Sequence, residues 1–564
     1  MAKHAENEKR IQIKPMRVVL LQPPIEDFYD TEVRHQPLGL CLLKAAVRKH
    51  LPGVDVKVID FHHGHGRRTI PVPEELSYLS DYYDSPDSSP FCSFHNYFRF
   101  GADPKSAAGK VADCKPDLVG ISCLFSPYFK EALACACEIK SLLDVPVVMG
   151  GGHASACPES LLADPSVDYV IRGEGERPLV ELVRAMKNGM GPETVPNLGF
   201  KKDGALKFNA KGDPYPLDEI PWAELSDLKN ESYLYEKRPM CMVMTSRGCP
   251  NRCAFCSVHS VFGWKYRTRR PEDVFREMRH RFDEGYRVFD FEDDNLAYKR
   301  DNFLKLLNMI GKGFAPVEVR LLAMNGISYD TLDREVLEAM WGAGFRSINI
   351  SLVSGNQNIL SDLDRPHSTA RFSDVVSWAR YLGFMITAYQ IIGLPNEDLE
   401  SICETMGLLA RMPLLLGPSI YYPAPGSRLA SEVRGMTEAD FIRARSTAMA
   451  GAESRAERDC LYTLFVTARI INFLKGTPGL VPGDRLGFDD ALGCLGRKGV
   501  REEKGAEILR ILLSERRLHA ATRMGLIPLE RFNYSVFEKV MMKAGRIGAV
   551  TGGEISLPEG LTVL

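Results

Sequence analysis

No run of about eighteen apolar residues occurs anywhere in this 564-residue chain, which argues against a membrane-spanning helix. The first fourteen residues, MAKHAENEKRIQIK, lack the apolar core of a secretory signal. Charge of one sign is missing too. With 71 Lys and Arg against 73 Asp and Glu, the formal net charge is −2, so no general attraction to nucleic acid or anionic membrane is implied. Low-complexity tracts are absent. Together these absences predict a soluble, cytoplasmic, globular chain. At this length it is too large for one core and divides into several domains.

Cysteine is not scarce. There are fourteen, and in a cytosolic chain they suggest metal or redox use rather than disulfides. Most sit in apolar settings and read as small buried hydrophobes. Three do not. Cys249, Cys253 and Cys256 form a C-x3-C-x2-C pattern directly after the strand-like segment Met240 to Thr245. Three soft thiolates on one loop can hold three irons of a cubic cluster and leave a fourth iron open to a small molecule. The alternatives are three buried cysteines or a zinc site, to which His259 would add the fourth ligand.

Residues 16–190 alternate strand and helix patterns. Strands are expected at Met16–Gln22, Val54–Asp60, Pro116–Cys123, Pro146–Gly150 and Asp168–Arg172, and helices at Pro37–His50, Tyr128–Leu143 and Pro178–Met186. That pattern predicts a doubly wound parallel sheet, whose ligands gather at the carboxyl ends of the strands. Residues 61–112 interrupt it as an aromatic-rich insertion, which reads either as a lid over a ligand or as surface packing. Residues 191–235 read as a linker, with a hairpin turning at Lys202-Asp-Gly204. Residues 236–430 carry six strand–helix units, with strands expected at Cys241–Thr245, Val288–Phe291, Val317–Leu322, Ser347–Leu352, Met385–Ile392 and Ser419–Tyr422. Six units make a partial (β/α)6 barrel with its chemistry at the strand carboxyl ends. Residues 431–564 read as a helical C-terminal region with Glu438–Gly451, Leu461–Leu474, Glu507–Met524 and Leu529–Ala544 as helices.

The cysteine run, with Phe255 before its last cysteine, resembles the signature of the radical S-adenosylmethionine (SAM) enzymes. The first domain resembles the cobalamin-binding domain that precedes many of them. The matching pieces are Gln22-Pro-Pro24, Pro37-Leu-Gly-Leu40, Gly120-Ile-Ser122-Cys, the Gly150-Gly151-Gly152-His153 loop and Gly173-Glu174-Gly175-Glu176. The resemblance implies a 4Fe-4S cluster on the three cysteines, SAM on its open iron, and cobalamin against Ser122 and the two glycine loops. A sheet that has lost its ligand, or that serves another cofactor, is the alternative for that domain. Relatives that ligate cobalt from below do so with a histidine in a loop after the first strand. Here that loop, Pro23 to Asp30, has none, so cobalt without a histidine lower ligand is expected. The histidines of Asp60-Phe-His62-His63-Gly-His65 read as a solvated turn, with a metal site as the alternative.

At the barrel mouth, Glu292, Asp293 and Asp294 suit the ammonium and ribose of SAM, or else form an Asx turn opening the next helix. Ser351 and Ser354 lie where relatives carry an acid between them; Val353 stands in its place. Gly393 opens a Gly-Leu-Pro-Asn-Glu397 turn that the resemblance puts near the adenine. Tyr389, Tyr421 and Tyr422 near strand ends are candidate hydrogen-bond or proton donors to substrate, with packing as the alternative. The resemblance implies radical cleavage of SAM and methylation of an unactivated carbon or phosphorus centre of a small molecule, with electrons from a flavodoxin or ferredoxin. The other readings are non-methylating radical chemistry (ring formation, oxidation or carbon–carbon coupling) and a cobalamin or iron–sulfur sensor without turnover.

Overall fold

The computed structural model describes residues 15–31, 36–83, 86–315, 318–365, 368–432 and 435–561. The N-terminal segment read for a signal lies outside them, as does Val317 of an expected strand.

Five short Val- and Ile-rich runs form the parallel core of the first domain: Arg17–Gln22, Asp55–Asp60, Leu118–Ser122, Val147–Gly150 and Tyr169–Ile171. Numbered along the chain, they lie side by side in the order 2-1-3-4-5. The order reverses between the first and third strands, which opens a crevice at their carboxyl ends. The hairpin expected in the linker is present as Leu198–Lys202 and Ala205–Phe208. It is not a free-standing piece, because Gly199 pairs antiparallel with Val170 and extends the sheet to seven strands. That pairing covers what would be an exposed parallel edge.

The barrel comprises six parallel strands in two sheets: Arg238–Val243, Val288–Phe291 and Arg320–Leu322, then Ser347–Val353, Met385–Ile392 and Leu415–Ile420. Two isolated parallel bridges, Leu321 to Phe345 and Ile327 to Ile350, join the sheets. The helices in the second half of the barrel start on side-chain caps, whereas Pro271–Asp283 and Arg300–Gly313 do not. Asp333 accepts from Val336 N, Ser368 from Arg371 N and Asp398 from Ser401 N, which satisfies donors that the first helical turn leaves open. The last strand begins four residues before the expected one. Its Gly417 and Pro418 hide the strand pattern, and proline is tolerated there because this is an edge strand.

The C-terminal region is built on helices Arg455–Lys475, Phe488–Gly496, Val500–Glu515 and Tyr534–Ala544. Two expected helices differ. Glu438–Gly451 stops at Arg443, and Met449 turns back with a left-handed φ of 51°. Glu507–Met524 ends at Glu515, where Arg516 also turns left-handed, and the remainder is the hairpin His519–Thr522 with Gly525–Pro528. The aromatic insertion packs on this region. Tyr82 donates to Asp459 Oδ1 at 2.8 Å and Tyr83 to Thr447 O at 2.7 Å, while Phe91 and Phe94 meet Phe473 and Phe465. Deeper in, Arg445 reaches 3.2 Å from Asp27 Oδ2, and Tyr128 and Thr447 donate to the same carboxylate. The histidine turn is solvated only in part: His62 and His63 are buried, because Asp60 accepts from His63 Nδ1 at 2.9 Å and from Tyr233 at 2.5 Å and draws them inward, while His65 stays exposed.

Candidate active site

The cysteine loop leaves the first barrel strand through a short ladder in which Ser246 and Arg247 pair with Thr268 and Arg267. Gly248 makes the exit. Its φ is 82°, and a Cβ there would come within 2.7 Å of Lys265 O, so only glycine fits. The loop is then held from both sides. Ala254 N donates to Leu363 O at 2.9 Å and Leu429 N to Ala254 O at 3.0 Å. Ala254 packs in a small apolar cluster with Val353, Leu394 and Tyr421, and Phe255 lies against it. Cys253 is buried, and Cys249 and Cys256 are partly so. Burial raises the Cys249 thiol and pushes Cys256 up to about 11. Thiols held this way give up their protons when a metal takes the charge. Among the described residues no three His, Cys, Asp or Glu side chains converge as they would on a single ion. A cubane asks for something else, since it sets its thiolates a cluster edge apart. The three cysteines on this loop suit that.

Two of the predicted acids secure the loop. Asp293 accepts from Thr245 N, from Thr245 Oγ1 at 2.7 Å and from Ser246 Oγ, and Asp294 accepts from Gly248 N at 2.9 Å. Glu292 accepts from Asn325 Nδ2 at 2.5 Å. Burial pushes Asp293 and Asp294 up to about 6 and Glu292 to about 7, the last also by Asp290. Among the described residues, only Asp294 of the three feels a cation, Arg247, which lowers it; a bound ammonium would lower all three.

Ser351 and Tyr389 pair across the strands and share the half-open face, while the alternate residues Ile350 and Ala388 are buried under the helices. Ser354 is turned away; its hydroxyl donates to Glu397 Oε1 at 2.5 Å. Glu397 had no assigned role in the sequence. Its second oxygen is buried and unpartnered, and burial pushes it up to about 7. Gly393 takes a φ of 79° and sits against Leu461. Tyr421 is a packing residue, and burial pushes it up to about 12.

In the first domain, a largely apolar cleft of about 190 Å³ lies at the reversal of strand order. Ser122, Gly150, Gly151, Gly173, Glu174, Gly175 and Glu176 all line it, as do Leu20, Gly39 and Gly120. Gly151 is at φ 118°, and a Cβ would meet Cys123 O at 2.7 Å. Gly152 does not line the cleft and packs on Leu124. His153 does not line it either. Its ring nitrogens lie 3.0 Å from Ser126 Oγ and 3.1 Å from Ser160 Oγ, and burial pushes it down to about 4. The opposite wall comes from the barrel as Arg247, Val261 and Phe262. Arg247 grips Glu176 at 2.5 Å and Glu174 at 2.6 Å, and Arg267 also grips Glu174. Burial works against the Arg247 charge, but the two carboxylates outweigh it and raise its pKa. Nothing in the spacing of these residues along the chain signals the pairing.

Comparison with known proteins agrees with this geometry. The Radical SAM superfamily model matches residues 243–409, and the B12 binding domain model matches residues 97–183. An uncharacterized methyltransferase of Pyrococcus horikoshii is 27% identical over 74% of this chain and 83% of its own length. Cytidylyl-2-hydroxyethylphosphonate methyltransferase of Streptomyces wedmorensis is 25% identical over 67% of this chain and 73% of its own. The structure of the radical S-adenosylmethionine methyltransferase TsrM from Kitasatospora setae, with cobalamin and a [4Fe-4S] cluster bound, superposes with a TM-score of 0.57 at 18% identity, covering 74% of this chain and 77% of that one. At that identity the likeness is one of fold.

Proposed function

Because the chain is a radical SAM protein with a B12-binding domain ahead of its barrel, we propose that it is a cobalamin-dependent radical SAM methyltransferase acting on a small molecule. When bound, the cofactors supply reductive cleavage of SAM to a 5′-deoxyadenosyl radical and a methyl group for an unactivated carbon or phosphorus centre.

The residues divide that work. Cys249, Cys253 and Cys256 hold the 4Fe-4S cluster. Glu292 and Asp294 meet the cations of SAM, with Asp293 fixing the loop that carries the cluster. Ser351 and Tyr389 line the half-open face on which SAM and substrate lie. The apolar cleft takes the flat part of the corrin's nucleotide tail between its glycines, whose bare backbone lets a ring approach. No side chain of the Pro23–Asp30 loop offers a histidine to cobalt, and His153 is engaged by two serines.

One observation carries this reading. The cleft of the first domain and the cysteine loop of the barrel share a wall, since Val261 and Phe262 follow the cysteines by a few residues and close the cleft. A site for each cofactor is thereby set beside the other, as methyl transfer between them requires. Among the described residues no helix is long and apolar enough to cross a membrane. All fourteen cysteines are unpaired, the state that a reducing compartment maintains; we place the protein in the cytoplasm, reduced by a flavodoxin- or ferredoxin-type donor.

The test is anaerobic purification with cobalamin supplied, followed by metal quantification and incubation with methyl-labelled SAM. About four irons and one cobalt per chain, with label appearing in product, support the proposal. Iron without cobalt, or deoxyadenosine without methylated product, rejects the methyl transfer.

A further inference from the structure

We propose that Arg365 is a positioning residue for the cluster, a fixed cation that hydrogen-bonds the Cys253 thiolate and makes the cluster easier to reduce. The inference rests on the cluster assignment above and concerns its potential.

Arg365 sits in the turn after helix Gln357–Asp362. The backbone sets it there, with Arg365 N donating to Leu360 O at 2.8 Å and Asp364 in the left-handed region at φ 52°. One arm of the guanidinium, Nη1, lies 3.5 Å from Cys253 Sγ, and the other, Nη2, donates to Ser351 O at 3.2 Å. The planar fork thus ties the cysteine loop to the end of the fourth barrel strand. Nε is buried and has no partner. Among the described residues no carboxylate pairs with Arg365, although most buried arginines of this protein have one, as Arg247, Arg269 and Arg445 do. A half-buried guanidinium without a counter-anion is costly unless something else brings negative charge. The cluster and its three thiolates bring it. Cys253, the most buried of the three, is the one that Arg365 faces. Asn295 makes a weaker, neutral contact, 3.7 Å from Cys249 Sγ.

The charge argument gives the direction. One electron passes from an external flavodoxin- or ferredoxin-type donor to the cluster, no bond forms or breaks, and the cluster becomes more negative by one charge. A fixed cation stabilises the reduced form more than the oxidised one. Hydrogen bonds to the sulfurs act in the same sense, and both set the potentials of such clusters.

The experiment is an EPR-monitored redox titration of the full-length, anaerobically purified, iron-loaded protein and of R365L, R365Q and R365K. The expected result is retained iron with a more negative midpoint in R365L and R365Q. The reduction equilibrium should shift at least tenfold, about 59 mV for one electron, with R365K closer to wild type. An unmoved midpoint in iron-replete R365L overturns the proposal. If R365L loses its iron, equal midpoints for R365Q and R365K overturn it, because charge then has no effect. Failure of the wild type to bind a reducible cluster would instead sink the cluster assignment, and this proposal with it.

Discussion

Arg247 and Glu176 meet across the boundary between the two cofactor domains, with Nη2 2.5 Å from Oε1 and both side chains buried. Glu176 starts a helix of the first domain, and Arg247 lies two residues before the first cysteine of the loop. Arg247→Met would leave Glu174 and Glu176 buried with one guanidinium between them. Breaking a buried pair from one side costs about 3–5 kcal/mol. The single variant should therefore unfold at clearly lower urea concentration than wild type, and adding Glu174→Gln and Glu176→Gln should recover much of the loss.

Cys253→Ala should remove most of the iron and all deoxyadenosine formation. Iron assay and product analysis check this, and wild-type turnover by the variant would refute the role given to the loop.

Gly39 lines the cleft on the first helix, with nothing within 4 Å of a Cβ added there. Gly39→Phe should fill the cleft without disturbing its walls. We expect cobalt to fall severalfold while iron is unchanged; cobalt equal to wild type would place the corrin elsewhere.

His153 gives the acid limb of stability a cause. Burial pushes it down to about 4 from an ordinary 6.5. Between those values the unfolded chain binds a proton that the folded one refuses. Stability is then lost as pH falls from about 6.5 toward 4 and is complete above 6.5. The loss amounts to roughly 3 kcal/mol at most. Urea midpoints of His153→Phe should depend less on pH in that window than those of wild type.

How legible was this in the sequence? The strands Val288–Phe291 and Met385–Ile392 stand as read, because aromatic and β-branched runs bounded by charged helices are strong local signals. The cysteine loop was legible for the same reason, since its donors lie within eight residues of one another and their spacing is itself the chemistry. Local signals failed where local chemistry misleads. Gly417 and Pro418 masked an edge strand, and helix-forming residues ran past Arg516 into a hairpin. The site residues that were missed all act through distant partners. Arg365 is ordinary in Asp-Leu-Asp-Arg until the fold brings it 112 positions back to Cys253. Glu397 acquires interest only beside Ser354, and Arg247 only beside the glutamates of the other domain.

The contact of Asp27 with Arg445 and Thr447 has a consequence for making the protein. Thr447 follows Asp27 by 420 positions, and at ~5–20 residues per second the ribosome needs roughly 20–80 s to deliver it. Until then Asp27 lacks these partners, and Tyr82, Tyr83, Phe91 and Phe94 wait, while the rest of the first domain and the barrel are made, for the helices that will cover them. The nascent chain is therefore a natural client for chaperones, and yield from a foreign host should depend more on temperature and translation speed than on the supply of either cofactor.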